Sequence, residues 1–417
     1  MTLSSLKILY TKLRNIVFQK TTSALDYCAY HLGISAVVHT PDPATSLTVY
    51  YIGENLPPRI SRMVKWLKRT QPINALLICH IDGYNAFFSN DSFDRVLLYR
   101  NTWHLRRLLR DLPAPSLIHG FGPKSYYPDM ARQYLSTVKF IYDMQDVLAI
   151  YFGLNVNIKW YQKEFVHEYN CLALSAGLVS HGLEPIPANR VYKIATKNKR
   201  LFFPLFCDDD MFCDNTKQLD LQNISLVYAG EIQGANRDKK QFGNVQFFDL
   251  IEILSAQRIH FHVYGTPHSY KLFGEEYRQV ERVNPYFHLH APVAQSHLPN
   301  ELSKYHFGII PFFKTNTALL DDKNYYSTSL KLFNYIEAGI PVLVSDEIVF
   351  QKWIACRYGA GIAICKEDLL HLRTMIEQID YSKFTAHLVE QRGKLSLKNN
   401  IHRLSHFYQD IINSNGA

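Results

Sequence analysis

The stretch Ser327–Asp346, "STSLKLFNYIEAGIPVLVSD", places three hydroxyl residues and Lys331 at the start of a helix-patterned run. Backbone N–H groups and the helix dipole favour an anion at such an end, and Thr328, Ser329 and Lys331 add hydroxyls and a cation. The same residues also fit an ordinary N-cap followed by a solvated lysine, and the stretch alone leaves both readings open. On a helix Lys331, Asn334 and Tyr335 share one face, while Leu332, Phe333, Ile336 and Ile340 form the apolar side. A second group is Asp143 and Asp146 in "YDMQD", two carboxylates closing an apolar run. Either can serve as a general base toward a hydroxyl, or simply cap the next helix. Asp146 is the expected base and Asp143 the expected cap. His119 in "LIHGFG" is a rival base or a satisfied loop residue.

Such groups need a scaffold, and the chain supplies a repeating one. At 417 residues it exceeds one ordinary core, so two domains of roughly 200 residues are expected. The runs "LTVYYIG", "ALLICH", "RVLLY", "PSLIHGFG", "VKFIYDMQD", "AGLVSHG" and "RLFFPLF" read as strands alternating with helices. Polar sequence at 208–223 reads as a linker. The rhythm then restarts with "ISLVYAGE", "IHFHVYG", "FHLHAPV", "FGIIPF", "PVLV" and "GAGIAI". Strands apolar on both faces imply an α/β fold with two doubly wound parallel sheets. The expected division is a helical preface (1–46), a first domain (47–207), the linker, a second domain (224–399) and a C-terminal helix and tail (400–417) packing back on the first domain. Ligands in such sheets sit beyond the carboxyl ends of strands. There the sequence places Gly53, His80, Asp82, His119, Asp143, Asp146, Gly230, Glu231 and Gly265.

The order of these pieces resembles the GT-B glycosyltransferases, in particular the sugar-nucleotide enzymes of family 4, over residues 47–412. "LVYAGE" resembles the opening strand and glycine turn of their nucleotide-binding domain, and "FHVYGTP" its second strand. "SLKLFNYIEAGIPVLVSD" is similar to the block S-x-K-x-x-E-Y-x-A-x-G-x-P-V. "KFIYDMQDVL" is similar to the Y-D-x-H-D turn, and "FFPLFCDDDMF" to the P-N-G-x-D-x-x-x-F interdomain segment. The resemblance implies a GT-B architecture, two Rossmann-like domains facing across a cleft, and transfer of a sugar from a nucleotide donor to a glycan or glycolipid hydroxyl. It implies a donor diphosphate seat at Lys331, Ser329, Thr328 and Gly230 with one basic residue among Arg237, Lys239 and Lys240, of which Arg237 is the choice because a guanidinium can grip phosphate bidentately. Nucleoside contacts fall at Asn334 and Gly265, and the acceptor side at Gly53 and Asp82. The acidic pair of retaining members is Tyr326 and Asn334 here, so the residues assign neither stereochemical outcome. That loss supports one alternative, a silent GT-B subunit that binds a glycan or partner; a GT-B sugar-nucleotide epimerase is the rival among enzymes. Asp208, Asp209 and Asp210 look like a metal-binding Asp-x-Asp, but their place between domains argues against one. No metal, and no cofactor beyond the nucleotide-sugar donor, is expected.

Charge is uneven. Residues 1–215 hold 24 Lys/Arg against 17 Asp/Glu (24 − 17 = +7), and the remainder 21 against 20 (21 − 20 = +1). The excess lies in "PPRISRMVKWLKR" and "NTWHLRRLLRDL", each with a tryptophan, which suits an anionic membrane surface or a solvated helix face. No nucleic-acid reader motif accompanies it. No run of about 18 apolar residues is present, the N-terminal stretch lacks a signal-peptide pattern, and the seven cysteines are scattered without a CxxC pair. The expected place is the cytoplasm, peripheral at the inner membrane face, in cell-surface polysaccharide or glycoconjugate synthesis.

Overall fold

The structure, a computed structural model, describes residues 47–84, 92–194, 198–214, 217–315 and 318–414. The expected helical preface lies outside the described residues. One sheet comprises Leu47–Gly53 (β1), Ile73–His80 (β2), Arg95–Tyr99 (β3), Leu117–Phe121 (β4), Phe140–Met144 (β5), Gly177–Ser180 (β6) and Lys199–Phe202 (β7), in the order 3-2-1-4-5-6-7. The other comprises Ser225–Gly230 (β8), His260–Gly265 (β9), Phe287–His290 (β10), Phe307–Ile310 (β11), Val342–Ser345 (β12) and Gly361–Ile364 (β13), in the order 10-9-8-11-12-13. All pairings are parallel. The α/β class with two doubly wound sheets is therefore as expected.

The continuous apolar runs have a direct cause. Along β1, Val49 and Tyr51 enter one core while Tyr50 and Ile52 enter another on the opposite face. Along β8, Val227 and Ala229 likewise alternate with Leu226 and Tyr228. Both faces are covered, so neither can be polar. The order of strands reverses between β1 and β4 and between β8 and β11, which opens a crevice at the carboxyl end of each sheet. The helix Leu397–Ile412 returns to the first sheet, laying Leu404, Phe407, Tyr408 and Ile411 into the core that holds Tyr51 and Val179.

The basic helix Pro58–Thr70 lies at the seam, which corrects its reading as a membrane face. Pro58 starts it at a position where a missing N–H costs nothing. Arg59 is buried against Asp143 (3.1 Å), and Arg62 against Glu337 of the second half (2.8 Å). Lys65 pairs with Asp208, Arg69 with Asp210 (2.7 Å), and Trp66 Nε1 donates to Asp208 (2.9 Å). These carboxylates are thus occupied by cations and an indole. Glu337 also accepts from the Asp208 backbone N–H (2.7 Å). Burial raises the Glu337 carboxyl to about 7 despite the Arg62 guanidinium.

Candidate active site

A cleft of about 700 Å³ opens between the sheets, lined by residues of both. Its second-sheet wall is built from the carboxyl ends of β8 and β9 and the N-termini of two helices. Helix Leu330–Glu337 begins at Ser329, whose Oγ accepts from the Lys331 backbone N–H (3.3 Å). Helix Pro267–Val283 begins at Thr266, whose Oγ1 accepts from Ser269 N–H (3.2 Å). Both helix starts therefore aim N–H groups at the cleft. Thr328 Oγ1 is buried there without a protein partner.

Lys331 is half-buried rather than solvated. Its Nζ lies 5.2 Å from the Phe312 ring centre and 5.5 Å from that of Tyr228. Burial, helped by the nearby Lys323 charge, lowers its amine from 10.5 to about 8. Gly230 makes room for it: a Cβ there would sit 2.3 Å from Lys331 Cε. The glycine is explained by this close approach. Asn334 is nearly buried, and its Oδ1 accepts from Gln295 Nε2 (3.0 Å) and, across the seam, from Arg62 Nη2 (3.5 Å). Its Nδ2 is thereby the end left to meet a ligand. Tyr335 departs from the expected shared face; it is fully buried and its hydroxyl accepts from Ala229 N–H (3.2 Å).

The first-sheet wall carries Asp146, Gln145, Tyr151, His181 and Arg59. Asp146 Oδ1 accepts from the Tyr151 hydroxyl (2.9 Å), and Lys323 Nζ of the second half stands 4.0 Å away. The carboxylate is 43% exposed, so it is open to a bound hydroxyl. His181 Nδ1 meets the Met144 carbonyl (3.0 Å), and burial with the Arg59 charge lowers its ring to about 4. Burial also raises the neighbouring Glu184 carboxyl to about 8.

Seven of the expected residues meet in this cleft: Asp146, Lys331, Ser329, Thr328, Gly230, Asn334 and Gly265. Five do not. Asp143 is wholly buried beneath it and caps no helix; burial would raise its carboxyl, but Arg59 and His119 hold it down to about 2. His119 is equally buried, with Nδ1 2.6 Å from the Tyr408 hydroxyl and Nε2 3.5 Å from Asp143. Neither reaches a substrate, and both are corrected to buried supports. Arg237 is exposed and folds over the Phe242 ring (4.6 Å), away from the cleft lining. Gly53 is small because a Cβ would strike Phe121 (2.4 Å), a neighbour within the sheet rather than a ligand. Asp82 lies in a separate groove. Sequence reasoning missed Arg59, Lys323, His181 and Gln295. The strand-end rule reaches His181 in "LVSHG"; no local signal marks Arg59 or Lys323.

Among the described residues no group of three or more His, Cys, Asp or Glu side chains is arranged to hold a metal ion, and no helix is long and apolar enough to cross a membrane. Two parallel sheets with a ligand-sized cleft at their carboxyl ends define the GT-B fold of glycosyltransferases. Residues 242–399 match the family model "Glucosyltransferase 3-like, C-terminal domain". No curated relative matches the chain by sequence. Among solved structures it is similar to Anabaena Alr3699/HepE in complex with UDP, at TM-score 0.60 and 10% identity, over 88% of this chain and 100% of that one. It is also similar to sucrose-phosphate synthase of Thermosynechococcus elongatus (TM-score 0.58, 10% identity, 87% and 98% of the two chains). A Listeria monocytogenes protein described as a "putative UDP-N-acetylglucosamine 2-epimerase" shares the architecture too (TM-score 0.52, 12% identity, 89% and 98%). At these identities the likeness concerns the fold.

Proposed function

We propose that this chain transfers a hexosyl or related sugar from a nucleotide-sugar donor to a hydroxyl of a glycan or glycolipid, without a metal. The observation that carries the reading is Lys331 Nζ held between two aromatic rings beside Gly230, at the start of a helix that faces the cleft. A nucleoside diphosphate gains negative charge as the sugar bond breaks, and a preorganised cation with helix-end N–H groups stabilises that charge in the transition state. Thr328 and Ser329 add hydroxyls at the same point. Asn334 Nδ2 donates to the nucleoside, and Gly265 lines the same cleft, where a Cβ would already press on Ile232 and Tyr270 (3.3 Å each). Across the cleft, Asp146 takes the acceptor proton, held in place by Tyr151 and screened by Lys323. The complex of HepE with UDP supports a uridine donor as the first to try.

The epimerase alternative is favoured by the shared fold alone, while the exposed carboxylate opposite the cation favours transfer to a second substrate. We place the protein in the cytoplasm, in cell-surface polysaccharide or glycoconjugate synthesis. Its membrane-facing element is the helix Thr102–Asp111, where Trp103 and Arg106 are exposed. A panel of sugar nucleotides incubated without acceptor tests the reading. Slow release of one nucleoside diphosphate is expected; no release and no binding of any donor would favour a silent subunit.

A further inference from the structure

A second concavity, of about 580 Å³, opens beside the loop that follows β8 and shares no lining residue with the cleft. Its size is that of a small-molecule site. It gathers two lysines that the sequence placed near the diphosphate seat, Lys239 and Lys240, and adds Lys314 beyond β11 and Lys366 beyond β13. All four are exposed. The one carboxylate in the lining is Asp249, which Lys239 already pairs at 2.9 Å. Glu347 meets the Lys314 backbone N–H and Asp368 the Cys365 N–H (2.7 Å), and neither carboxylate is part of the lining. The concavity is therefore strongly cationic.

Its base is apolar and carries unused donors. Phe247 and Phe313 are buried there, and Phe248 and Ile253 are half-buried. Helix Phe248–Ala256 begins at this point without a side-chain cap, so its first-turn N–H groups lack a side-chain acceptor. Asn244 Oδ1 accepts from the Phe313 N–H (3.0 Å), while its Nδ2 is buried with no partner. Such a donor is costly until an acceptor reaches it. Compact ammonium charges and helix-end N–H groups select an oxyanion, and the aromatic base adds area for an apolar body. A cation would meet four ammonium groups. The concavity and the cleft are neighbours: Phe313 lines one, and the adjacent Phe312 ring lies 5.2 Å from Lys331 Nζ in the other.

We infer that this concavity binds a phosphomonoester with an apolar or flat body, at a site separate from the donor cleft. Calorimetry of the full chain with farnesyl phosphate, adenosine monophosphate and glucose 6-phosphate, with and without saturating UDP, tests it. At least one of the first two should bind, more tightly than glucose 6-phosphate and equally with UDP present. Farnesyl phosphate alone would assign a lipid-borne phosphate, and adenosine monophosphate alone a nucleotide. Lys314→Glu with Lys366→Glu should weaken that binding at least tenfold, with UDP affinity and the circular dichroism spectrum unchanged. Asn244→Asp, nearly the same in size, should weaken it as well. Binding of neither probe, displacement by UDP, glucose 6-phosphate binding as tightly, or parental affinity in the double variant would overturn the inference. The UDP titration reports the transferase reading by itself: a chain that binds the probe but no UDP would lose that reading and keep this one.

Discussion

Lys331→Met removes the cation that Gly230 and the Leu330–Glu337 helix hold in the cleft. In the free chain that cation is uncomfortable. Lowering the amine from 10.5 to about 8 means its charged form is disfavoured there by roughly 3 kcal/mol relative to water. Methionine keeps the apolar stem against Tyr228 and Phe312 and removes the buried charge. The melting temperature at neutral pH should therefore stay level or rise. Transfer should behave oppositely. Loss of one preorganised donor to a developing anion costs about 3 kcal/mol in the barrier, so turnover should fall about a hundredfold or more. The amine also makes donor binding pH-dependent. A bound diphosphate keeps the proton on Lys331, whereas the free chain releases it as pH rises through about 8. Affinity for UDP should be flat below that value and weaken toward about tenfold per pH unit above it. Calorimetry across that range on parent and variant, with turnover on the same samples, makes the test. Parental turnover in the variant, or parental UDP affinity that ignores pH, would refute the diphosphate seat.

Asp146→Asn should cut transfer about a hundredfold or more while calorimetry shows the donor still bound; near-normal transfer would remove Asp146 as the base. Arg62→Met strands the buried Glu337 carboxyl and should destabilise the chain by about 3 kcal/mol in denaturant titrations above pH 7. The loss should shrink at lower pH, where Glu337, already raised to about 7, takes up a proton. His260, His262, His288 and His290 form two cross-strand pairs at 3.0 Å, and burial lowers all four rings. The unfolded chain then binds more protons below about pH 6.5, so stability should fall with acid through that point; His262→Phe should flatten the slope of melting temperature against pH. Trp103→Ala with Arg106→Glu should release the protein from anionic vesicles, and equal co-sedimentation of variant and parent would remove the membrane proposal.

What the sequence by itself determined was local or periodic. Strands apolar on both faces announced covered parallel sheets, because Tyr50 and Tyr51 each need a core of their own. The hydroxyls and Lys331 were legible as a cluster at a helix start, because a helix start and its side chains are neighbours in the chain. Asp146 was legible as the residue just beyond a buried strand. Tertiary structure decided what each charge does. Asp143 and Asp146 are three positions apart, yet one is sealed against Arg59 and the other faces the cleft. The cations of Pro58–Thr70 read as a solvated or lipid-facing stripe because their partners are remote. Arg59 meets Asp143 across 84 residues and Arg62 meets Glu337 across 275. A buried ion pair carries no local periodicity, since its energy depends on which distant carboxylate the fold brings within about 3 Å and dehydrates with it.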